Sequence, residues 1–582
     1  MTRRFVLLCL ALAAATVQAV DATKALHDFF AAEWDYTMEH SPTWASELGD
    51  RRWNDQWPDL TPAAIAAEHR HNQEALVRLR QLDRKALAPR DQLNYDLFEH
   101  SLTQSIEGHA FRWHLVPLNQ RGGLQTEDEL ADSLRFETLK DYEDWLARLR
   151  ALPRYAAQTT DLMREGIRAR IVHAKVVMQR VPAQIEKQIV CDPEKSPFYK
   201  PFANIPKALA ADRERLQQEA RAVIARQVVP AYRAFHEFFT KDYLPACFDQ
   251  VGCWQMPDGE RRYAFEAKKF TTTSLTPREI HELGLKEVAR IRAEMLAIKD
   301  KVGFKGDLPA FFQFLRSDPQ FYYKSAPELL VGYHAMSRRI DPLLVKVFKT
   351  LPRMPYGVEA IPDKIAPDTT TAYYRPPAAD GSRAGTYFVN LYRPETRPKW
   401  EMMALSLHES VPGHHLQIAL AQEQGELPKF RRYGSYTAFI EGWGLYSEHL
   451  GEELGLYTDP YDKFGQLTYE IWRAVRLVVD TGIHSLKWDR QRAIDFFKAN
   501  APKQENDITN EIDRYISWPG QALAYKVGEL KIKEVRTRAA KELGPKFDLR
   551  EFHDVVLRNG AVPLEILERF VGEWVEEKQR PN

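Results

Sequence analysis

One short run of the sequence carries an unusual density of side chains that can bind a metal. It reads Leu407-His408-Glu409-Ser410-Val411-Pro412-Gly413-His414-His415-Leu416-Gln417. Three imidazoles and a carboxylate this close together are hard to explain as core packing. In the HExxH helix of zinc proteases, two histidines one turn apart bind the ion from one face, and the glutamate beside the first activates the bound water.

The spacing of these histidines requires a break in the helix. The position one turn after His408 is Pro412, which cannot ligate a metal. His415 would share the face of His408 in a straight helix but would lie about 10 Å along the axis, whereas Zn–N bonds are only about 2.1 Å long. Pro412 lacks the N–H that would continue the helix, and Gly413 tolerates a distorted backbone. We therefore predict a break that brings His414 to the second ligand position. The spacing alone also allows His415 to be the second ligand. The histidines could instead form a surface cluster that binds no metal.

A second run supplies a candidate third ligand. It reads Phe439-Ile440-Glu441-Gly442-Trp443-Gly444-Leu445-Tyr446-Ser447-Glu448. The interval after His414 accommodates a helix, a loop and a returning helix, so Glu441 can complete a His₂Glu zinc site with an open fourth position. Gly442 and Gly444 predict close packing against a neighbouring helix. Glu448 lies about two turns further along the same face and either supports a ligating histidine through a hydrogen bond or is a solvated carboxylate.

The elements that must position these residues are mostly helical. Apolar residues recur at three- to five-residue steps, and capping signals precede two of the helices, at Thr276-Pro277-Arg278-Glu279 and at Ser325-Ala326-Pro327-Glu328. Residues 371–374 and 386–390 instead predict two short strands around a turn, just before the histidine run. They form either a plain structural hairpin or an edge that aligns an extended peptide.

Composition, charge and the N-terminus restrict the class of protein. The 582 residues include 81 basic and 81 acidic side chains, so no net charge favours nucleic acid. Arg3-Arg4, an apolar stretch and the small-residue site Val17-Gln18-Ala19 predict a signal peptide over residues 1–19. No later segment is apolar enough to insert into a membrane, so the mature chain is expected in the periplasm or outside the cell. The sequence leaves its oligomeric state open.

Two lobes and one disulfide are expected in the mature chain. A seam rich in proline, glycine and threonine, at about residues 242–273, separates an N-terminal helical lobe, 20–260, from a C-terminal catalytic lobe, 261–582. In an oxidising compartment Cys247 and Cys253 can close a short loop. Unpaired thiols are the alternative.

Four separated motifs together resemble the bacterial domain-of-unknown-function family 885. They are the HESxPGHHLQ and EGWGLYSE runs above, residues 478–484 (VVDTGIH) and residues 519–526 (PGQALAYK). That family is similar to the helical zinc peptidases of the angiotensin-converting enzyme, oligopeptidase and thermostable carboxypeptidase groups. The resemblance implies a mainly α fold with two helical lobes around a deep substrate cleft. Gly413-His414 and Glu441 match the layout of those relatives, and the two-residue insertion ending in Pro412 is the departure from it.

Further candidates extend the predicted site. The related peptidases place a donor tyrosine on a late helix, which makes Tyr525 the candidate that stabilises the oxyanion; a core tyrosine is the alternative. His484 is the second candidate for contact with the substrate or oxyanion, unless it is a buried histidine bonded to Asp480 or the backbone. Arg476 either meets a substrate carboxylate or forms a structural ion pair.

The function expected from these residues is that of an exported zinc-dependent metallopeptidase. His408, His414 and Glu441 would bind Zn²⁺, and Glu409 would activate its water to hydrolyse peptides or oligopeptides. The alternatives are an exported binding or scaffold protein of the same fold and a zinc hydrolase of another amide or ester.

Overall fold

The structure is a computed structural model that describes residues 2–363, 366, 370–378, 381, 383–425 and 427–580, with side chains from residue 21 onward. It divides into two compact units. Unit 1 comprises Met1–Gln250 and Pro428–Arg431, and unit 2 comprises Val251–Leu427 and Arg432–Asn582. The first long segment of unit 1 thus ends ten residues before the boundary expected at 260.

Unit 1 is built from helices of very unequal length. They are α1 (Thr2–His40), α2 (Pro42–Glu47), α3 (Pro62–Arg80), α4 (Pro89–His109), α5 (Leu139–Ala169), α6 (Lys175–Met178), α7 (Val181–Glu186), α8 (Lys200–Ala203), α9 (Arg213–Val223), α10 (Val229–Phe238) and α11 (Leu244–Ala246). A cluster of buried apolar side chains, among them Leu26, Phe30 and Leu79, joins α1 to α3 and α4. The predicted signal segment is the first part of α1, where no side chains are described.

Unit 2 contains the other helices and the three strands of the described residues. The elements up to the histidine run are α12 (Gly259–Thr271), α13 (Pro277–Lys301), α14 (Leu308–Ser317), α15 (Ala326–Ile340), β1 (Tyr356–Ala360), β2 (Ala372–Arg375), β3 (Gly385–Val389) and α16 (Lys399–Glu409). Those that follow are α17 (His414–Glu423), α18 (Lys429–Tyr433), α19 (Thr437–His449), α20 (Pro460–His484), α21 (Arg490–Asn500), α22 (Glu505–Ser517), α23 (Ala524–Leu543), α24 (Leu549–Leu557) and α25 (Leu564–Gln579). The first residues of α18 belong to unit 1.

Helix α20 forms the centre of unit 2. Every residue from Phe464 to His484 is buried. Charged residues of the helix, among them Glu470 and Arg476, form ion pairs inside the unit. It packs against α13 and α16, while α23 packs against α19. The mainly α prediction is confirmed. Both predicted helix starts are confirmed as well: Thr276 and Glu279 form a capping box at α13, and Ser325 caps α15.

The predicted strand pair is present and has a third member. β2 and β3 pair antiparallel, and β1 pairs parallel with β3, giving the order β1-β3-β2. All five residues of β3 are buried. β1 and β2 therefore form the two edges of the sheet.

The disulfide expected between Cys247 and Cys253 is absent. Both are free, buried thiols, and Cys191 is free and exposed. Burial raises the pKa of the Cys247 thiol to about 12, so it stays protonated and unreactive at neutral pH. The prediction was wrong because closeness in sequence does not place two side chains at bonding distance.

Among the described residues no helix combines the length and apolar character needed to cross a membrane.

Candidate functional site

The helix carrying the first histidine ends where the sequence predicted a break. α16 stops at Glu409, and α17 begins at His414. A Cβ added to Gly413 would lie 1.8 Å from the carbonyl oxygen of His408, so only glycine fits between the two helices. The indole N–H of Trp443 donates to the carbonyl oxygen of Pro412 at 2.8 Å and holds the connecting segment in place.

The break brings three potential ligands together: His408, His414 and Glu441. The Nε2 atom of each histidine lies 3.6 Å from Oε2 of Glu441. The two rings are nearly perpendicular, at 88°, with centroids 4.7 Å apart. Donor atoms bound tetrahedrally to one zinc ion at about 2.1 Å are about 3.4 Å apart. The three side chains thus fit the ligand set of a single zinc ion without large movement.

The other side of the His408 ring contacts Glu448, for which a supporting hydrogen bond was one of two interpretations. Nδ1 of His408 donates to Oε1 of the fully buried Glu448 at 2.8 Å. This hydrogen bond leaves the lone pair of a neutral ring on Nε2, facing Glu441. Nη2 of Arg473 lies 3.6 Å from the same Glu448 oxygen and balances its charge. A Cβ on Gly444 would approach the His408 ring to 2.8 Å, so this glycine lets the ring lie directly on α19.

The electrostatics of the cluster favour a cation. Burial lowers the pKa of His408, but Glu441 and Glu448 more than compensate and raise it to about 9. Burial also raises the pKa of the Glu441 carboxyl, yet His408 and His414 hold it well below its usual range. Carboxylates that favour a proton on a histidine favour a metal ion at the same place for the same Coulombic reason.

The structure distinguishes His414 from His415. Nδ1 of His414 is buried without a hydrogen-bond partner. His415 uses both nitrogens within the protein: Nδ1 accepts from the Tyr374 hydroxyl at 2.8 Å, and Nε2 donates to the Met354 carbonyl at 2.9 Å. Burial lowers the pKa of His415 to about 4, so it is neutral at pH 7. His414 joins the ligand cluster, whereas His415 ties α17 to β2.

Close packing of α19 against α23 positions Glu441. A Cβ on Gly442 would lie 2.5 Å from the backbone of Gly528, and one on Gly528 would lie 1.9 Å from the Ala438 carbonyl oxygen. The helices approach so closely because both contact residues lack side chains. The close packing predicted for Gly442 and Gly444 is confirmed.

Glu409, the candidate base, is the last residue of α16 and follows His408 directly in the sequence. Its charge contributes to raising the pKa of His408. In the part of the chain that the structure describes, its carboxylate forms no hydrogen bond or ion pair. It is therefore free to accept a proton from a group in the site.

Tyr525 and Arg476, the further candidates from the sequence, both contact charged side chains. Tyr525 lies in the first turn of α23, one turn before Gly528, and its hydroxyl oxygen accepts a hydrogen bond from Arg514 at 3.1 Å. Arg476 forms the structural ion pair that was one of its two interpretations, with Nη2 2.9 Å from Oε2 of Glu511.

His484 does not have the environment predicted for a catalytic residue. It is fully buried; Nε2 donates to the Tyr515 carbonyl at 2.9 Å, and Nδ1 accepts from the Cys253 amide at 3.0 Å. Neither nitrogen is left to contact a substrate, so His484 is better explained as a structural residue that joins α20 to α22.

Sequence reasoning missed Arg473 and Trp443 as parts of the site. Trp443 lies inside the EGWGLYSE run, but nothing in its spacing points to the Pro412 carbonyl. Arg473 lies on the same helix as Arg476, one turn earlier, and no local pattern identifies Glu448 as its partner.

Comparisons with known proteins agree with this fold. A candidate lipoprotein from Colwellia psychrerythraea is similar in structure, with a TM-score of 0.87 and 28% sequence identity over 96% of this chain and 99% of that chain. A candidate lipoprotein of unknown function from Shewanella oneidensis has a TM-score of 0.71 and 18% identity, over 94% of this chain and 99% of that chain. No curated protein matches the chain. The family described as "Bacterial protein of unknown function (DUF885)" matches residues 42–571, and the chain therefore belongs to this family.

Proposed function

We propose that the chain is an exported zinc-dependent metallopeptidase that hydrolyses peptide bonds of peptides or oligopeptides. The observation that carries the proposal is the cluster of His408, His414 and Glu441, with Glu409 directly after His408 at the end of the same helix. Two imidazoles and one carboxylate are the protein ligands of many catalytic zinc sites, which keep a fourth position open.

The donor set suits zinc better than the harder cations. Calcium and magnesium take oxygen ligands almost exclusively, whereas zinc accepts imidazole nitrogen together with a carboxylate. The unpartnered Nδ1 of His414 leaves that ring free to turn slightly toward an ion. A bound zinc ion would supply Lewis acidity and lower the pKa of a water molecule at the open position.

The residues of the chain then have separate tasks. Glu409 accepts the proton that the attacking water loses and delivers it to the leaving amine. Glu448 keeps His408 in the tautomer whose Nε2 lone pair faces the cluster. The Tyr525 hydroxyl accepts a hydrogen bond from Arg514, so its own O–H is available to donate to the developing oxyanion.

Two further considerations support the assignment. The order of His408-Glu409, Gly413-His414 and Glu441 resembles that of the helical zinc peptidases, as set out from the sequence. For export, the proposal relies on the signal-peptide pattern of residues 1–19 and on the description of both structural relatives as candidate lipoproteins.

The test is a peptide-library digest by the purified protein, with and without a chelator, read by mass spectrometry. Glu409→Gln should retain the fold and bind one zinc ion per chain but lose hydrolysis by several orders of magnitude, because the base is removed and no ligand is changed. Glu282→Gln is the matched control, since its exposed carboxylate pairs with Arg278 on the surface of α13.

Each outcome of the test has a distinct meaning. Hydrolysis by the Glu409→Gln protein at a rate near that of the unchanged chain would refute the role of Glu409. Stoichiometric zinc without cleavage of any peptide would favour a hydrolase of another amide or ester. Absence of stoichiometric zinc would favour a binding or scaffold protein.

A further inference from the structure

A cavity in unit 1 is formed by three helices that contribute nothing to the candidate metal site. Its walls come from the first turns of α3, from the end of α4 with the segment that follows it, and from the C-terminal half of α5. The cavity volume is about 660 Å³. Pockets that bind small molecules usually have volumes of about 300–1,000 Å³. The size of this cavity therefore suits a small organic ligand.

Apolar side chains form much of the cavity wall. They are Leu60, Pro62, Ile65, Ala110, Leu115 and Leu162. Leu115 and Leu162 are buried in the unit. A concave apolar surface favours a ligand with an apolar body, because the ligand and the wall then leave contact with water together.

Two histidines that line the cavity have unused hydrogen-bonding groups. His109 is the last residue of α4, and the centroid of its ring lies 5.9 Å from that of His114. Neither imidazole has a hydrogen-bond partner among the residues that the structure describes. Burial lowers the pKa of His114 to about 4. Burial also lowers the pKa of His109, and the ring of His69, stacked on it at 3.8 Å, lowers this pKa further. Both imidazoles are thus neutral at pH 7, and each can donate one hydrogen bond and accept one.

The charged side chains of the cavity leave one guanidinium group in excess. Arg112 donates from Nη2 to Oε1 of Glu165 at 3.0 Å, and Arg168 donates from Nη2 to Oε2 of the same carboxylate at 2.7 Å. Asp161, the other carboxylate that lines the cavity, lies 3.3 Å from Nη1 of Arg164. Two carboxylates therefore face three guanidinium groups, and one positive charge remains.

Arg112 is the group best placed to meet an anion. Its Nε and Nη1 have no acceptor in the described part of the chain, and its side chain is 42% exposed, so a ligand can reach them. Its backbone is left-handed, with a φ of 51°, which is uncommon for a residue other than glycine. This turn directly follows α4 and lets both Arg112 and His114 line the cavity. The N-terminal end of α3 lies at the same cavity, and its partial positive charge also favours an anion.

We propose that this cavity binds a small amphipathic carboxylate, with the apolar chain against the walls from α3 and α5 and the carboxylate at Arg112. A medium-chain fatty acid is the simplest molecule with this chemistry. The neutral rings of His109 and His114 offer further N–H donors to the carboxylate oxygens. Such a site goes beyond the proposed peptidase function and does not depend on it.

The test is isothermal titration of the purified full chain with octanoate. One octanoate should bind per chain. Hexanoate should bind about tenfold more weakly, because two fewer methylene groups are buried. Octanamide has the same length but no charge and should bind at least about tenfold more weakly than octanoate, because the charge-assisted hydrogen bond to Arg112 is lost. Absence of saturable octanoate binding, or equal affinity for octanoate and octanamide, would overturn the inference.

A chelator separates this cavity from the candidate metal site. Carboxylates can also bind zinc, so the titration is repeated after zinc has been removed. The affinity for octanoate should be the same in both forms of the protein. Binding by the zinc-loaded form alone would overturn the inference, because it would assign the carboxylate to the metal ion.

Substitutions locate the binding in unit 1. Ala66→Trp fills the cavity and should abolish octanoate binding, whereas Ala67→Trp, at the exposed neighbouring position on α3, should keep it. Arg112→Gln should weaken octanoate binding at least about tenfold and leave octanamide binding unchanged. Arg150→Gln is its matched control, because it also breaks an exposed ion pair of α5, with Glu219 at 2.7 Å.

Thermal melting establishes that each variant is folded. Full octanoate affinity in the folded Ala66→Trp protein would contradict the location of the site. Full octanoate affinity in the folded Arg112→Gln protein would contradict the role of the guanidinium group, and this variant decides the question if Ala66→Trp does not fold.

Discussion

Adjacent histidines in the site should respond to the same substitution in opposite ways. His414→Ala and His415→Ala each remove one buried imidazole, so the cost of the cavity is similar. His415 also forms two hydrogen bonds, to Tyr374 and Met354, whereas His414 has one polar contact, between its Nε2 and Glu441 at 3.6 Å. At about 1 kcal/mol per polar contact, His415→Ala should cost about 1 kcal/mol more stability than His414→Ala in the metal-free protein.

Zinc binding should follow the reverse order. Loss of a residue that only supports a ligand weakens metal binding about 10–100-fold, so loss of a ligand in His414→Ala should weaken it by about 100-fold or more. His415→Ala should keep stoichiometric zinc, since neither of its nitrogens faces the cluster.

The assay combines thermal melting of the chelated proteins with zinc titration and metal analysis of the reloaded proteins. The expected pattern is a Tm about one degree lower for His415→Ala than for His414→Ala, and a large loss of zinc affinity for His414→Ala. If His415→Ala loses zinc and His414→Ala retains it, the assignment of ligands is wrong.

Three further predictions concern the surroundings of the site. Glu448→Gln should weaken zinc binding about 10–100-fold without abolishing it, because the charged partner of His408 is lost while the ligands remain; competition with a zinc chelator measures this. Gly442→Ala should lower the Tm and the zinc affinity together, since its Cβ would lie 2.5 Å from the backbone of Gly528 and push α19 away; unchanged melting would show that the helices separate freely. Burial raises the pKa of Asp480 to about 7, so the folded protein binds this proton more tightly than the unfolded chain and loses stability as the pH rises from about 4 to 7. Asp480→Asn should therefore show a smaller decrease of Tm across that range, and a parallel decrease in both proteins would refute the cause.

Local signals in the sequence were sufficient for the core of the candidate site. Pro412 and Gly413 predicted the break because their effects on a helix depend on their own backbone. The spacing to Glu441 predicted a carboxylate from a returning helix. Glu448 was left with two interpretations, and the structure shows the hydrogen bond to His408. The caps of α13 and α15 and the strands β2 and β3 were also predicted from local signals.

The features that the sequence did not predict depend on contacts between residues that are separated along the chain. His415 is excluded from the ligand cluster by Met354 and Tyr374, and His484 is made structural by the backbone of Cys253 and Tyr515. β1 was missed because its parallel partner, β3, is far along the chain. No periodicity within a segment reports such contacts, which arise only when the whole unit packs.

The interruption between α16 and α17 also has an electrostatic consequence. α16 ends at Glu409 and α17 begins at His414, so the carbonyl end of one helix and the amide end of the next both lie beside the proposed ligands. Aligned peptide dipoles give such ends about half an elementary charge, negative at the carbonyl end and positive at the amide end. The carbonyl end of α16 would favour a cation held by His408. The amide end of α17 would favour negative charge on a substrate carbonyl oxygen. An uninterrupted helix would present neither end there, so the break at Pro412-Gly413 places two helix ends of opposite charge beside the proposed ligands.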